Sequence, residues 1–258
     1  MTKSKILILL ALAVSTAPAQ DTYARAFYLK WKPGMIDEGQ KFIKDVALKV
    51  AGHWATMDPN FVGQVTMSRV FPTEHETGYD RLRILITSKP PDLASSAVSV
   101  QYLQGIGMTP EAYAQKLGSF METIKSEIWQ SVYRHGSIKT GDFVELRFQD
   151  PPTGKGAEYQ SYLRDWESAV RAGIVKAGPA KGMEAWRLQL TPDAASYNFV
   201  NLIVYPDSSS IFKGWGNRQE LFGKVHPGKD YHAYRTTGDA LTRGTHTVVF
   251  RVDSAVWK

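Results

Sequence analysis

Two consecutive β-like runs, joined by a short polar connection, occur twice in this chain, and that repetition limits the fold more than any other feature. The first pair is Gln64–Phe71 followed by Tyr79–Thr87; the second is Met183–Leu190 followed by Tyr197–Tyr205. Both are rich in β-branched and aromatic residues, the pattern of a β-hairpin. A helical pattern precedes each pair and another follows it.

The surrounding chain repeats in the same order. Tyr23–Trp31 alternates as a strand and is stopped by Lys32-Pro33-Gly34; Gly141–Gln149 does the same and is stopped by Asp150-Pro151-Pro152-Thr153-Gly154. Ile36–Trp54 and Ala157–Ala177 carry apolar residues at helical spacing. Leu93–Gly105 and Pro110–Ser126 are the later helix candidates of the first half, with Thr109 as N-cap and Glu111 in the first turn. Asp230–Leu241 is their counterpart. Glu127–Ile138 and Thr245–Val252 read as the closing strands. Pro91 and Pro206 are 115 apart (206 − 91), and Pro110 and Pro227 are 117 apart (227 − 110). A period of this length is a domain duplication, not a solenoid.

Each half thus reads βαββαβ, the ferredoxin-like unit, an antiparallel sheet with both helices on one face. The open face of each sheet needs a cover, and two copies in one chain supply each other. The expected fold is α+β: two tandem ferredoxin-like repeats, 20–140 and 141–258, packed sheet to sheet as an intramolecular barrel.

Residues 1–19 read as a signal peptide. Lys3 and Lys5 precede the apolar run Ile6–Val14, and Ala17-Pro18-Ala19 offers small residues for cleavage. The run is short for a membrane span, and no later stretch is long and apolar enough, so an exported, periplasmic or secreted protein is expected. Retention of the segment as an anchor is the alternative. The chain has no cysteine, which removes thiol nucleophiles, Cys-bound zinc, iron–sulfur clusters and c-type haem attachment. Its net charge of +6 is dispersed, without a basic run that would mark a nucleic-acid partner.

In element order, nearly the whole mature chain resembles the dimeric α+β barrel superfamily, which includes antibiotic-biosynthesis-type monooxygenases, stress-responsive barrel proteins, the NIPSNAP group and chlorite-dismutase-like haem proteins. The resemblance implies a small-molecule pocket between a sheet and its helices or loops. It transfers no catalytic residue, because no family motif is matched residue by residue.

Candidate site residues follow from chemistry that is out of place. Arg81 and Arg83 alternate with Leu82, Ile84 and Ile86; Arg187 alternates with Trp186 and Leu188; Asn201 shares a face with Phe199 and Ile203. Arginine within an apolar strand is costly unless paired, so Arg83 and Arg187 are candidates to receive an anionic or carbonyl-bearing ligand, with Glu145 and Glu184 as the alternative ion-pair partners. Trp215, His226, Tyr231 and His232 form a second candidate group around Pro227, where a histidine beside a tyrosine could act as a base or ligate haem or a metal. Tryptophans 31, 54, 129, 166 and 186 suit a core. Glu74-His75-Glu76 suits a solvated turn.

There is no Gly-x-Ser-x-Gly elbow, P-loop, His-Glu-x-x-His or dinucleotide fingerprint. The expected function is binding of a small organic or anionic ligand in a barrel pocket. A cofactor-free or haem-dependent monooxygenase-type enzyme of the same fold is the alternative, and a purely structural protein the third. No cofactor or metal is predicted, haem being the one cofactor left open. Expected partners are a small molecule and, in an assembly, further copies of the chain.

Overall fold

A computed structural model describes residues 21–71, 78–91, 97–178, 180–191 and 195–258. The signal-peptide segment and Glu74-His75-Glu76 lie outside these residues. The strands are β1 (Tyr23–Trp31), β2 (Phe61–Phe71), β3 (Arg81–Thr87), β4 (Met121–Gly136), β5 (Phe143–Gln149), β6 (Gly182–Leu190), β7 (Phe199–Tyr205) and β8 (Gly244–Trp257). The helices are α1 (Ile36–Phe42), α2 (Leu48–Met57), α3 (Ala97–Gly105), α4 (Pro110–Phe120), α5 (Gly156–Tyr162), α6 (Ser168–Ala177), α7 (Arg218–Val225) and α8 (Tyr231–Leu241).

The strands close into one antiparallel barrel in the order β1-β3-β2-β8-β5-β7-β6-β4. Around the ring, β4-β1-β3-β2 are neighbours, as are β8-β5-β7-β6. These two groups join edge to edge through β2–β8 and β4–β6. Closure leaves no open edge for another chain to pair with.

Alternation along the strands sends one set of side chains inward. Ala24, Ala26, Tyr28, Val65, Leu82, Ile84, Leu146, Val200, Leu202, Val248 and Phe250 belong to this interior cluster. The small alanines of β1 make room for Trp129 and Trp186, both fully buried. Each tryptophan donates its indole N–H to the glutamate two residues before it: Trp129 to Glu127 at 3.0 Å and Trp186 to Glu184 at 2.9 Å. Tyr28 and Tyr197 also donate to Glu127, at 2.9 and 2.6 Å, and Lys125 Nζ lies 3.3 Å away. Arg134 pairs with Glu184 at 3.0 Å. A carboxylate in an apolar interior persists only when supplied with donors in this way.

Helices cover the outer face. Residues 36–57 form one continuous helix in which a π turn, Ile43–Ala47, joins α1 to α2; Leu163–Glu167 joins α5 to α6 in the same manner. The two turns start 120 residues apart (163 − 43).

Several elements differ from the sequence reading, β2 by starting at Phe61 and others more widely. Helix α4 ends at Phe120, not Ser126, and β4 begins at Met121. The strand is long because Met121–Gln130 pairs with β1 and Ile128–Gly136 with β6; ladder pairing overrides local helix preference. For the same reason β8 continues past Val252 to Trp257, pairing with both β5 and β2. Helix α7 was not anticipated; its weakly apolar sequence has little helical periodicity. Pro227 is not the counterpart of Pro110: Pro110 opens α4, whereas Pro227 lies in the turn between α7 and α8.

Candidate functional site: a cationic cavity beneath α1 to α4

A cavity of about 580 Å³ lies between the outer face of β1–β4 and the helical layer that covers it, whose lining comes from the first π turn, α2, α3 and α4. That volume falls within the range of small-molecule sites, roughly 300–1,000 Å³. Its sheet side carries Arg25 and Phe27 from β1, Gln64 and Thr66 from β2, and Arg81 and Arg83 from β3. Its helix side carries mainly apolar groups, including Ile43, Leu48, Trp54, Leu103 and Leu117, with Tyr113 as a polar exception.

Pairing register explains the cationic floor. Phe27 faces Arg83 across β1–β3 and Thr66 faces Arg83 across β2–β3, so they share the outward face. Arg25 and Arg83 both lie against the Phe27 ring, with guanidinium carbons 4.7 and 4.4 Å from its centroid. Arg81 is held by Asp253 at 3.0 Å and lies 4.8 Å from the Trp31 ring. No carboxylate, histidine or cysteine lines this cavity among the described residues. Arg83 lies deep in the protein but keeps some open surface, because that surface faces the cavity. Its Nε has no hydrogen-bond partner. Burial pushes the Arg83 guanidinium below the usual arginine range; Tyr113 opposes this and Arg25 adds to it. An arginine still remains charged. Burial raises the Tyr113 hydroxyl, and Arg83 works against that rise.

The same place in the second half holds a smaller cavity of about 180 Å³. Arg25 is the third residue of β1 and Glu145 the third of β5; Arg83 is the third of β3 and Asn201 the third of β7. Ala47 closes the first π turn where Glu167 closes the second, and Ala51 is the fourth residue of α2 where Arg171 is the fourth of α6. Glu167 accepts from Arg218 at 2.7 Å, from Tyr234 at 2.6 Å and from Tyr162 at 3.0 Å, and it pairs with Arg171. Tyr162, Trp166, Phe222 and Tyr234 stack around it. Alanines leave space over the first sheet; a charged and aromatic cluster fills the space over the second.

The structure separates the residues singled out in the sequence. Arg83 lines the large cavity. Asn201 and Trp215 line the small one, where the Asn201 Oδ1 lacks a partner and Trp215 lies against Arg147 and Arg171. Arg187 is exposed on β6 and donates to Gln160 at 2.8 Å, so it does not share a pocket with Arg83. Glu145 pairs with Arg147 and Glu184 with Arg134; neither pairs with Arg83 or Arg187. His226 closes α7, packs on Phe222 and meets the Trp166 carbonyl at 2.9 Å. Tyr231 and His232 line a more open recess of about 600 Å³ between α7 and α8, apart from both cavities. Arg25, Tyr113, Ala47 and Ala51 were not singled out. Arg25 was readable as a charge on the Phe27 face of β1, but its neighbourhood with Arg83 depends on register.

Among the described residues, no group of three His, Cys, Asp or Glu side chains could hold a metal ion, and no helix is long and apolar enough to cross a membrane. A haem iron held through histidine needs an imidazole in its pocket. Neither the large nor the small cavity presents one among the described residues, so their donor sets do not fit that group.

The fold is a closed eight-stranded antiparallel barrel with helices on its outer face. Among solved structures, a protein of Fusobacterium nucleatum provisionally named a monooxygenase is similar, with a TM-score of 0.56 at 9% identity, over 93% of this chain and 96% of the other. A second, provisionally so named, from Lactobacillus acidophilus gives 0.55 at 8% identity, over 92% and 96%. An anthrone oxidase-like protein gives 0.50 at 11% identity, over 93% and 94%. At such identities the likeness is one of fold. No family model matches the chain, and no curated protein matches it in sequence.

Proposed function

We propose that this protein is an exported binder of a small organic molecule, whose site is the 580 Å³ cavity beneath α1 to α4. The observation that carries this reading is the asymmetry between the halves: Ala47 and Ala51 stand where Glu167 and Arg171 fill the other side. A chain that needed both halves only for packing would gain by filling the first as well, since unfilled interior volume costs contact energy. We read the halves as tandem ferredoxin-like repeats, 20–140 and 141–258, of which the first keeps a site and the second serves as a rigid support. Export follows from the segment 1–19, with cleavage after Ala19.

The second reading is an oxygenase, drawn from the names of the fold neighbours. General-base chemistry asks for a proton-accepting side chain, most often an imidazole or carboxylate, within hydrogen-bond reach of the substrate. The described lining of the large cavity offers only the Tyr113 hydroxyl, which burial makes harder to ionise, and this favours binding.

Native mass spectrometry of protein purified from its own host tests the proposal. A small-molecule adduct on the wild type is expected. Ala47→Phe, which places a ring into the cavity, is expected to lose the adduct while unfolding within about 2 °C of the wild type, because the new side chain enters existing space. An adduct retained by Ala47→Phe would move the site elsewhere.

A further inference from the structure

The chemistry of the cavity wall specifies its occupant, and this step rests on the cavity being the binding site. We infer that the ligand is a carboxylic acid with an apolar body, its carboxylate held by Arg83 and Arg25 and its body against the helices.

Three features lead there. First, the charge of the floor is uncompensated locally. Arg81 has Asp253, but no described acid reaches Arg25 or Arg83, and both crowd one face-sharing neighbour, Phe27. Two like charges in a partly desolvated wall repel each other and attract an anion. Second, the buried Arg83 Nε has no hydrogen-bond partner; once the side chain turns it toward the cavity, the side of the guanidinium formed by Nε and one Nη matches the two oxygens of a carboxylate. A phenolate or alkoxide offers a single oxygen and leaves one donor unmet. Third, polarity is segregated: Gln64, Thr66 and the arginines lie on the sheet, whereas Ile43, Leu48, Leu103 and Leu117 come from the helices. A molecule with one charged end and an apolar remainder satisfies both walls; a sugar, a nucleotide or a polyacid would strand polar groups against the helices.

The second half is an internal contrast. At the position of Arg25 it has Glu145, which neutralises Arg147, and at the position of Arg83 it has Asn201. An anion has no equivalent receptor there.

Matched probes test the inference by tryptophan fluorescence and calorimetric titration: decanoate against methyl decanoate, and 2-naphthoate against methyl 2-naphthoate. Wild type is expected to bind at least one acid about 10- to 100-fold more tightly than its ester, the range for charge-assisted hydrogen bonds. Arg83→Met is expected to remove that preference while leaving ester binding within about threefold. Its unliganded form should melt at or above the wild type, because a desolvated charge without a carboxylate is replaced by an apolar chain of similar length. Arg25→Met should give the same loss of preference, and the exposed Arg187→Ala should not. Equal binding of acid and ester, with both lost in Ala47→Phe, would overturn the acid and leave the cavity as the site. Binding of neither would overturn both. A clear fall in the melting temperature of unliganded Arg83→Met, with the acid preference kept in Arg25→Met, would make Arg83 a structural residue and overturn the inference.

Discussion

Glu167→Ala is expected to destabilise the protein by about 3–5 kcal/mol, the usual cost of removing one partner from a buried ion cluster. Glu167 is 4% exposed and accepts from two arginines and two tyrosines. Without it, Arg171 and Arg218 retain their charge in a desolvated place, and the hydroxyls of Tyr162 and Tyr234 lose an acceptor. For a domain of this size, each kcal/mol shifts the melting point by about 2–4 °C, so thermal unfolding should fall by on the order of 10 °C. The double variant Glu167→Ala/Arg171→Ala is expected to lose less than the sum of the single variants, by about 1–3 kcal/mol, because the second change removes a charge that the first left unpaired. Strict additivity would mean that the contacts are not coupled.

The same carboxylate sets an acid limit. Burial alone would raise the Glu167 carboxyl; Arg171, Arg218 and the hydrogen bond from Tyr234 outweigh it and hold the group at about 2. In the unfolded chain a glutamate titrates near 4.3. The folded value is the lower one, so the unfolded chain takes up the proton first. The stabilisation is therefore complete above the unfolded value and is lost as pH falls from about 4.3 through about 2, by on the order of 3 kcal/mol. Denaturant melts between pH 5 and pH 2 should show this loss in the wild type and its near absence in Glu167→Ala.

How much of this was legible before the structure depends on what kind of information each feature needs. The sequential order of the strands and the long helices is local, and period-2 and period-3.6 patterns carried it: the runs Tyr79–Thr87 and Tyr197–Tyr205 contain β3 and β7, each of which starts two residues later. The end of α4 was not, because Met121–Ser126 is strand only by virtue of β1 lying beside it. The candidate site divided along the same line. Arg83 stood out as a charge within an apolar alternation. Arg187 stood out for the same reason and is exposed, since alternation gives the face of a strand but not what covers it. Ala47 and Ala51 shape the cavity by being small, and an alanine in an apolar helix stripe carries no signal of that kind. They become informative only beside Glu167 and Arg171, at an offset of 120 that the π turns make visible. No sequence feature that we can identify marks those turns.

Gly136→Ala is the second change expected to have a large effect, about 3 kcal/mol of destabilisation. Gly136 ends β4 opposite Gly182, where β4 and β6 join one half of the barrel to the other. Its φ of +81° lies in the left-handed region, which costs a residue with a Cβ about 1–2 kcal/mol. In addition, a Cβ at this place would sit 1.9 Å from the Lys181 carbonyl oxygen and 2.7 Å from the Gly182 Cα, both backbone atoms that cannot rotate away. The barrel must therefore open locally at its seam. Gly34 separates the two contributions. Its φ is +75°, but nothing lies within 4 Å of a Cβ built there, so Gly34→Ala should cost only the conformational part, about 1 kcal/mol. Chemical denaturation of the two variants side by side is the measurement. Equal losses would show that the backbone at the seam yields without cost. A larger loss for Gly136→Ala, with the acid preference of the folded variant unchanged, would place barrel closure and ligand recognition in different parts of the molecule, because the cavity draws on β4 only near Met121 and Thr123, at the other end of the strand.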